Sequence, residues 1–431
     1  MVAKLTTLEN MVPAVIGLGY VGLPLAVAFG KQRRTIGFDV DEKRVTEISG
    51  GVDITAEVEA DDLAAARHLS VTCDLTDLAE CNVFIVAVPT PIDVHHQPNL
   101  EPLIRASRTV GKVIKPGDIV IYESTVYPGA TEEDCIPVVE AESGLKLNQD
   151  FYAGYSPERI NPGDKDRPLH KIVKVTSGST PEVANLIDAL YGSIIEAGTF
   201  KAASIKVAEA SKVIENTQRD VNIALINELS IIFSHLDVDT ADVLDAAATK
   251  WNFTRLSPGL VGGHCIGVDP YYLVHKSIAA GHIPDIIRQS REINDGMARN
   301  VANRLIKTMT LKKLPLYDAR VLILGFTFKE NCPDIRNTKV IDLVENLESF
   351  GITVDICDTW ADAEEVDKVF GREIMSEVPT QYGSYSAVIL AVPHRDFVAR
   401  GADDLRRLMV ENGVLFDLKA MFARDESDLR L

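Results

Sequence analysis

The order of apolar and polar positions predicts parallel β-strands in the first and last thirds of the chain. Short apolar runs bounded by turn-forming residues occupy Pro13–Ile16, Asn82–Val88 and Asp118–Tyr122, and similar runs return at Arg320–Leu324 and Ala387–Val392. Continuous apolar character is typical of strands in a parallel sheet whose two faces are both covered by helices. These segments therefore predict α/β folding near both ends of the chain.

The middle of the chain has the period of a helix instead. From about Lys201 to Leu236 there is no Gly or Pro, and apolar side chains recur at helical spacing, at Ile214, Val221, Leu225, Leu229, Ile232 and Leu236. A helix of this length spans on the order of 50 Å. We expect it to join the two α/β parts and to keep apolar surface for a partner subunit.

Two stretches of the last third repeat stretches of the first. Val354–Asp358 resembles the strand that ends at Asp39, and Ala387–Pro393 echoes Val83–Pro89. We infer a degenerate duplication of a doubly wound fold. The predicted fold class is α/β, with two Rossmann-like domains joined by a long central helix. The predicted domains are 1–200, a dinucleotide-binding domain; 201–312, a helical domain with a cysteine loop; and 313–431, the second Rossmann-like domain.

Glycine spacing after the first strand predicts a dinucleotide site. Gly17, Gly19 and Gly22 form a GxGxxG pattern between a strand and a helix, with Tyr20 and Val21 inside it. The first glycine permits a tight turn, the second lets the backbone approach a pyrophosphate, and the third allows close helix–strand packing. The pattern alone is weak evidence, but here a second strand follows it and ends in an acid.

That acid, Asp39, favours NAD over NADP, because a carboxylate accepts hydrogen bonds from ribose hydroxyls and repels a 2′-phosphate. Arg44 lies close enough in sequence to weaken this preference. The alternative for Asp39 is a residue that caps the following helix. Thr90 and Thr125 follow two further predicted strands, where ligands of open α/β sheets bind. Turn hydroxyls that bond local backbone are an equally good interpretation of both threonines.

One cysteine lies in a glycine-dense loop before a predicted helix. Cys265 is flanked by Gly262, Gly263 and Gly267, and Asp269 is placed to cap the helix. Glycines let the backbone bend sharply towards a ligand, and a thiolate near a helix N-terminus is a reactive nucleophile. A lone cysteine in such a turn is usually a small buried residue. The dinucleotide pattern and the cations elsewhere favour a catalytic interpretation here.

Charged side chains elsewhere are weaker candidates. Prolines bracket Glu158 and Arg159 in one loop, and Lys212 and Asn216 lie one helical turn apart, where an ammonium and an amide can act on the same oxyanion. The second Rossmann-like part lacks most of the glycines and offers cations able to hold a diphosphate, at Lys329, Arg336 and Lys339. Taken one at a time, these charges are better explained as solvated surface.

Composition narrows the function classes. The 431 residues carry a formal net charge of -19, which argues against general nucleic-acid binding. The cysteines are scattered, with neither a CxxC pair nor zinc spacing, so we expect reduced thiols, no metal and a cytoplasmic protein. The first residues lack the apolar core of a secretion signal, and no run has the length and apolarity of a membrane span.

Together the motifs resemble the UDP-glucose/GDP-mannose dehydrogenase family over essentially the whole chain. They are GLGYVGLP at 17–24, ESTVYPG at 123–129, SPERINPG at 156–163, GGHCIGVDPYYL at 262–273 and GFTFKENCPDIRNT at 325–338. The wording around the cysteine, with His264 before it and DPYYL after it, is more similar to the branch that oxidises UDP-N-acetylhexosamines than to the UDP-glucose branch.

The resemblance implies an NAD-dependent, four-electron oxidation of the sugar C6 hydroxyl to a carboxylate, in the biosynthesis of surface polysaccharides. It implies a substrate of the UDP-N-acetylhexosamine class, with UDP-GlcNAc as the first candidate. UDP-glucose, UDP-ManNAc and UDP-GalNAc stay open, because no motif reports on the stereochemistry at C2 or C4. Two further alternatives are a two-electron β-hydroxyacid dehydrogenase and an NAD-binding protein without catalysis.

The resemblance also implies roles for single residues and a homodimer formed through the long helix. Cys265 would carry a thiohemiacetal and then a thioester, and the groups assisting it would be Lys212, Asn216, Asp269, Glu158 and Thr125. Substrate would be bound by Arg159, Ile160, Lys212, Asn216, Arg219, Arg255, Gly259, Lys329 and Lys419. Arg336 would contact NAD.

Overall fold

The computed structural model describes residues 3–55, 57–93, 95–160, 167–263 and 266–431. Its contacts divide the chain into two compact units. The first comprises Met1–Glu215 and Tyr271–His282, and the second comprises Asn216–Pro270 and Ile283–Leu431.

Strands and helices alternate along both units. The strands are β1 Pro13–Ile16, β2 Thr35–Phe38, β3 Leu69–Thr72, β4 Val83–Val86, β5 Ile119–Tyr122, β6 Tyr152–Tyr155, β7 Lys174–Thr176, β8 Thr199–Lys201, β9 Arg320–Leu324, β10 Thr353–Cys357, β11 Tyr385–Leu390, β12 Met409–Asp417 and β13 Leu429–Arg430. The α-helices are α1 Gly22–Gly30, α2 Glu42–Ser49, α3 Ala60–Ala65, α4 Glu101–Gly111, α5 Ile136–Ser143, α6 Pro181–Gly192, α7 Ile205–His235, α8 Thr240–Ala248, α9 Asp269–Ala279, α10 Asp285–Leu311, α11 Val340–Glu348, α12 Ala363–Phe370, α13 Arg395–Val398 and α14 Gly401–Arg407.

The first unit contains a parallel sheet of six strands in the order β3-β2-β1-β4-β5-β6. Strand β1 pairs with β2 on one side and β4 on the other, so that Ala14 faces Ile36 and Phe84. This is the strand order of a dinucleotide-binding sheet, in which the direction of winding reverses beside the first strand. The predicted strands at both sides of that point are confirmed, and their carboxyl ends meet at one edge.

The second unit contains a parallel sheet of five strands in the order β10-β9-β11-β12-β13. In β9, Val321 and Ile323 belong to one apolar core, while Leu322 and Leu324 belong to another. Both faces of the sheet are therefore covered, as the continuous apolar runs predict. The predicted α/β fold class with two Rossmann-like sheets is confirmed.

Atomic detail supports the duplication. Gly17 and Gly325 have φ values of 92° and 94°, and each donates its N–H to the carbonyl that ends the neighbouring strand at 2.8 Å. The N–H that follows each glycine donates to the strand-end acid, to Asp39 at 2.8 Å and to Asp358 at 2.6 Å. The two turns are thus built alike.

The long helix α7 has 31 residues, which corresponds to about 46 Å. It begins at Ile205 rather than near Lys201, because Thr199–Lys201 forms β8 and pairs with β7. Apolar side chains along α7 and just beyond its end are exposed, at Ile214, Leu225, Ile232 and Leu236. No helix in the described ranges is long and apolar enough to cross a membrane.

Candidate functional site

The glycine turn of the first unit is crowded at two of its glycines and open at the third. A Cβ at Gly17 would lie 2.9 Å from the carbonyl oxygen of Ala87, and a Cβ at Gly22 only 1.7 Å from that of Gly17, so both positions require glycine. At Gly19 a Cβ would meet no atom within 4 Å. Open space at this position, immediately before α1, suits a pyrophosphate that approaches the backbone and the helix N-terminus.

Asp39 faces this turn from the end of β2. Its Oδ2 accepts the N–H of Leu18 at 2.8 Å and its Oδ1 accepts that of Asp41 at 3.0 Å. The alternative interpretation of Asp39 as a helix cap is wrong, because the side chain of Asp41 caps α2. Asp39 is only half-buried, so its carboxylate keeps acceptor capacity for ribose hydroxyls.

Arg44 is engaged within the protein. It is buried, its Nε donates to the carbonyl of Leu18 at 2.8 Å, and its guanidinium pairs with Asp53 at 2.7 Å. The hydrogen bond to Leu18 places Arg44 beside the dinucleotide turn, as a cofactor contact requires. Its pairing with a buried carboxylate makes it a poor partner for a 2′-phosphate, which supports NAD over NADP.

Thr90 and Thr125 are brought together at the ends of β4 and β5. The hydroxyl of Thr90 donates to the carbonyl of Thr125 at 2.7 Å, and the phenol of Tyr272 donates to the carbonyl of Thr90 at 2.9 Å. The bond made by Thr90 fits the turn interpretation, while both residues lie at the sheet edge where ligands bind. Their contact with the cofactor stays a prediction.

Glu158 is a buried carboxylate, not the solvated loop charge that is its alternative interpretation. It is 7% exposed, and its Oε1 accepts the N–H groups of Arg159, at 2.5 Å, and Ile160. Its Oε2 is also buried and has no hydrogen-bond partner among the described residues. Among the described residues, Lys174 places a cation beside this oxygen, with its Nζ 3.6 Å away.

Lys174 belongs to an ion cluster that the sequence analysis missed. Its side chain is 2% exposed, and its Nζ lies 2.8 Å from Oε2 of Glu123, whose other oxygen accepts the phenol of Tyr191. Burial acts to lower the pKa of Lys174, but the carboxylates of Glu123 and Glu158 outweigh it, so this pKa is raised. Burial raises the pKa of Glu123 in spite of the lysine.

Two arginines predicted to bind substrate are engaged in ion pairs. Arg159 lies 2.8 Å from Glu215 in the first unit, and Arg255 lies 2.5 Å from Asp245 in the second. Arg159 also donates to a main-chain carbonyl at 2.8 Å, while Ile160 packs against the apolar core of the first unit. A ligand phosphate would have to compete with these carboxylates for either arginine.

Helix α7 buries the lysine and the asparagine that the sequence places one turn apart. Lys212 is 7% exposed and Asn216 is 1% exposed, so the solvated-surface interpretation is wrong for both. In the second unit, the Nδ2 of Asn216 donates to Oδ2 of Asp269 at 2.5 Å, and the guanidinium of Arg219 donates to Oδ1 of Asn216. Three predicted site residues thus form one hydrogen-bonded group, and Asp269 is the first residue of α9.

The cysteine itself, Cys265, and its neighbour His264 lie outside the described residues, as do residues 161–166. The chain that leads to the cysteine is anchored from α7. Asn227 accepts the N–H of Gly259 at 2.8 Å and donates to its carbonyl at 3.1 Å. Lys419 donates to the carbonyl before Gly259 at 3.1 Å, and burial lowers the pKa of this lysine.

The other predicted cations of the second unit lie beside acidic or aromatic side chains. Arg336 forks onto Asp334, with Nε at 3.0 and 3.1 Å from the two oxygens. Lys339 is held by two carboxylates at 3.1 and 3.0 Å, which makes it a poor phosphate ligand. Lys329 lies 5.7 Å from the centre of the Phe328 ring.

The strand-end acid of the second unit is used internally. Asp358 is fully buried and accepts four main-chain N–H groups, and Nε2 of His394 lies 3.0 Å from its Oδ2. Burial acts to raise the pKa of Asp358, but His394 and the N–H groups outweigh it and lower the pKa to about 2. The equivalent Asp39 has two such partners and solvent access, so only the first unit offers an acid to a ribose.

Family comparisons cover most of the chain. Domain models of the UDP-glucose/GDP-mannose dehydrogenase family match in succession: the NAD binding domain over residues 11–195, the central domain over 206–296 and the UDP binding domain over 322–424. The predicted NAD site therefore falls in the family's NAD binding domain, and the second sheet falls in its UDP binding domain.

Individual relatives agree with the family models. The chain is 58% identical to UDP-N-acetyl-D-glucosamine 6-dehydrogenase of Pseudomonas aeruginosa, over 98% of this chain and 100% of that protein. It is 56% identical to the Salmonella typhi protein of the same name, over 97% of this chain and 98% of that protein. The solved structure of UDP-D-ManNAc dehydrogenase from Pyrococcus horikoshii superimposes with a TM-score of 0.87 at 29% identity, covering 97% of this chain and 98% of that one.

Proposed function

Because the chain belongs to the UDP-glucose/GDP-mannose dehydrogenase family, we propose that it oxidises the C6 hydroxyl of UDP-N-acetyl-D-glucosamine to a carboxylate with NAD. The choice of sugar rests on the difference in sequence identity between two groups of relatives. Two proteins named for UDP-N-acetyl-D-glucosamine are 58% and 56% identical, whereas one named for UDP-N-acetyl-D-mannosamine is 35% identical over 77% of this chain.

The chemistry is a four-electron oxidation in two steps joined by a covalent intermediate. NAD supplies the hydride acceptor of each oxidation. Loss of a hydride from C6 and of the proton from its hydroxyl gives an aldehyde, to which the sulfur of Cys265 adds as a thiohemiacetal. Loss of a second hydride from C6, with the proton of the thiohemiacetal hydroxyl, gives a thioester. Attack by water then breaks the C–S bond and releases the uronate and the thiolate. The covalent bond retains the aldehyde while the cofactor is exchanged.

The assisting groups follow from what surrounds them. Lys212 and Asn216 donate to the oxyanion at C6, since an ammonium and an amide on one helical face stabilise developing negative charge. Asp269 holds the amide of Asn216 in one orientation and assists proton transfer. Glu158 takes the proton from the attacking water, because its Oε2 is the carboxylate oxygen left without a hydrogen-bond partner among the described residues. Thr125 orients that water.

NAD and the UDP-sugar are assigned to separate groups of residues. The residues proposed to hold NAD are Gly17, Gly19, Tyr20, Val21, Gly22, Asp39, Arg44, Thr90, Thr125 and Arg336. The residues proposed to hold the UDP-sugar are Arg159, Ile160, Lys212, Asn216, Arg219, Arg255, Gly259, Lys329 and Lys419. The domains proposed for these roles are 1–200 for NAD, 201–312 for the helix and cysteine loop, and 313–431 for the UDP-sugar.

We also propose a homodimer and a cytoplasmic setting. The exposed apolar side chains along α7 give a second copy a surface to bury, and hydrophobic burial is the main driving force for such association. A catalytic thiol must stay reduced, which favours a reducing compartment. The uronate product would serve the synthesis of a surface polysaccharide.

The decisive experiment compares sugars and counts electrons. UDP-GlcNAc, UDP-GalNAc, UDP-ManNAc and UDP-glucose are assayed side by side, with NADH measured against uronate. We expect UDP-GlcNAc to give the highest kcat/KM and two NADH per uronate. One NADH per sugar would support a two-electron dehydrogenase, and turnover of none of the four sugars would overturn the proposal.

The cysteine is tested separately. We expect Cys265→Ala to abolish uronate formation and to leave the affinity for NAD nearly unchanged, because the thiol acts on the sugar. The control is titration of NAD into the purified variant. Undiminished turnover, or a large loss of NAD binding, would contradict the assignment.

A further inference from the structure

We propose that Lys174 is a positioning residue that keeps Glu158 charged and oriented for hydrolysis of the thioester. This inference rests on the proposed function, which makes Glu158 the base that deprotonates the water. Lys174 itself touches neither substrate nor cofactor in this scheme. It acts through the carboxylate of Glu158, and Glu123 acts through Lys174.

The geometry fixes one oxygen of Glu158 and leaves the other beside a cation. Oε1 accepts the main-chain N–H groups of Arg159 and Ile160, which sets the plane of the carboxylate. Oε2 lies 3.6 Å from Nζ of Lys174, a distance at which the ammonium attracts the charge without forming a hydrogen bond. The lone pairs of Oε2 therefore stay available for a proton.

The ammonium is itself held in place by Glu123 and Tyr191. Nζ of Lys174 lies 2.8 Å from Glu123 and 5.4 Å from the centre of the Tyr191 ring, and Tyr191 donates its phenol to Glu123. Lys174 and Glu123 are 2% and 1% exposed. A buried ion pair is costly to desolvate and is a poor source of stability compared with apolar packing, which favours a role in orientation or charge.

Within the described part of the first unit, titratable groups approach Glu158 from several elements. Lys174 approaches from β7, Glu123 from the end of β5 and Tyr191 from α6. The guanidinium of Arg159 is engaged with Glu215 instead. The carboxylates of Glu123 and Glu158 thus share the ammonium of Lys174.

Substitution of Lys174 and substitution of Glu123 should therefore shift the pH dependence of thioester hydrolysis in opposite directions. Lys174→Met withdraws the ammonium that lies 3.6 Å from Glu158, so hydrolysis should need a higher pH. Glu123→Gln keeps the shape and an acceptor for Tyr191 but withdraws a like charge. The ammonium is then left to Glu158, so hydrolysis should persist to a lower pH. A purely structural role would impair both variants alike.

The experiment follows the thioester directly. Enzyme is mixed with saturating NAD and UDP-GlcNAc, quenched with acid at set times, and analysed by intact-protein mass spectrometry from about pH 5 to about pH 9. We expect the acid limb of the hydrolysis rate to rise by about one pH unit in Lys174→Met, which makes hydrolysis about tenfold slower below the limb. The limb should fall in Glu123→Gln and stay in place in Lys174→Arg.

Controls separate folding, net charge and function. Lys146→Met removes the lysine of an exposed ion pair with Glu140 in the same unit, at 3.2 Å, and should not move the limb. If Lys174→Met fails to fold in a thermal-unfolding assay, Glu123→Gln and Lys174→Arg still decide the question. Shifts in the same direction, or a limb unmoved in folded Glu123→Gln, overturn the inference.

Failure of the proposed function has a different signature. In that case wild-type enzyme forms no thioester with any UDP-sugar, or Glu158→Gln hydrolyses the thioester at the wild-type rate. Failure of the inference alone shows an active wild type, a Glu158→Gln variant that accumulates thioester, and unshifted limbs in the Lys174 and Glu123 variants.

Discussion

The duplicated strand-end acids offer a matched pair of substitutions, Asp39→Asn and Asp358→Asn. Asn keeps the shape and one acceptor oxygen but removes the charge. Asp39 accepts one N–H on each oxygen and is half-buried. Asp358 is fully buried, accepts four N–H groups and pairs with His394. We expect the first change to weaken NAD binding and the second to weaken the fold.

The magnitudes follow from these partners. A hydrogen bond to a charged group is worth about 1.5–3 kcal/mol, against about 1 kcal/mol for a neutral one. Asp39→Asn should therefore weaken NAD by about tenfold and narrow the preference over NADP, since the repulsion of a 2′-phosphate is lost. At Asp358 the new amide group faces buried N–H donors, each costing about 1–3 kcal/mol when unpaired, so unfolding free energy should fall by about 3 kcal/mol or more.

The pH dependence gives an independent check on Asp358. Its pKa of about 2 lies below the ordinary value of 3.8, so the folded state binds fewer protons than the unfolded state between these values. The stabilisation, about 2 kcal/mol, is complete above about pH 4 and is lost as pH falls towards 2. Asp358→Asn should lack this acid-sensitive part of the unfolding curve.

Titration calorimetry with NAD and NADP measures the first effect, and denaturant unfolding between acid and neutral pH measures the second. Asp358→Asn should bind NAD like the wild type under conditions where it is folded. The reasoning is refuted if Asp39→Asn binds NAD with wild-type affinity, or if the two variants lose NAD affinity equally.

Three other predictions concern folding. Gly22→Ala should not yield folded protein, because its Cβ would lie 1.7 Å from the carbonyl oxygen of Gly17. In Gly19→Ala the new Cβ would meet no atom within 4 Å, so this variant should keep the wild-type Tm but bind NAD more weakly. Circular dichroism measures folding, and calorimetry measures NAD binding. Burial outweighs two main-chain N–H donors and raises the pKa of Glu209 to about 7 from 4.5, so the folded state binds more protons than the unfolded state between these values. The free energy of unfolding should therefore fall by about 3 kcal/mol as pH rises through them. A free energy of urea unfolding that does not change with pH in this range would contradict this. Asn227→Ala should lower unfolding free energy by about 3 kcal/mol, because it leaves buried main-chain groups unpaired, and an unchanged denaturation midpoint would show that the anchor is not needed.

Local sequence patterns predict the fold and the cofactor turn well, because strands and glycine turns are determined by residues close together in the sequence. The spacing of Gly17, Gly19 and Gly22 dictates the turn, and the apolar runs dictate the strands. The duplication is also visible, since Asp39 and Asp358 end similar strands. The start of α7 is misplaced by a few residues, because pairing of β7 with β8 is a tertiary event that no periodicity reports.

The charge cluster around Glu158 could not be predicted in this way. Lys174 and Glu123 are 51 positions apart, and each taken alone resembles ordinary surface charge. The available signal is a lysine inside the apolar stretch that becomes β7, where a solvated side chain would be out of place. Likewise, Lys212 and Asn216 share a face by sequence alone, but only their burial shows that this face is not solvent.

A domain that arose by duplication of a coenzyme-binding fold would be expected to retain some affinity for the coenzyme. In the second copy, Nε2 of His394 lies 3.0 Å from Oδ2 of Asp358, so this acid is already paired within the protein and does not face a ligand as Asp39 does. The difference between the two copies towards the coenzyme therefore follows from the internal pairing of Asp358, and no steric block is needed to explain it. Creating a second coenzyme site would first require replacing His394, with a corresponding loss of stability.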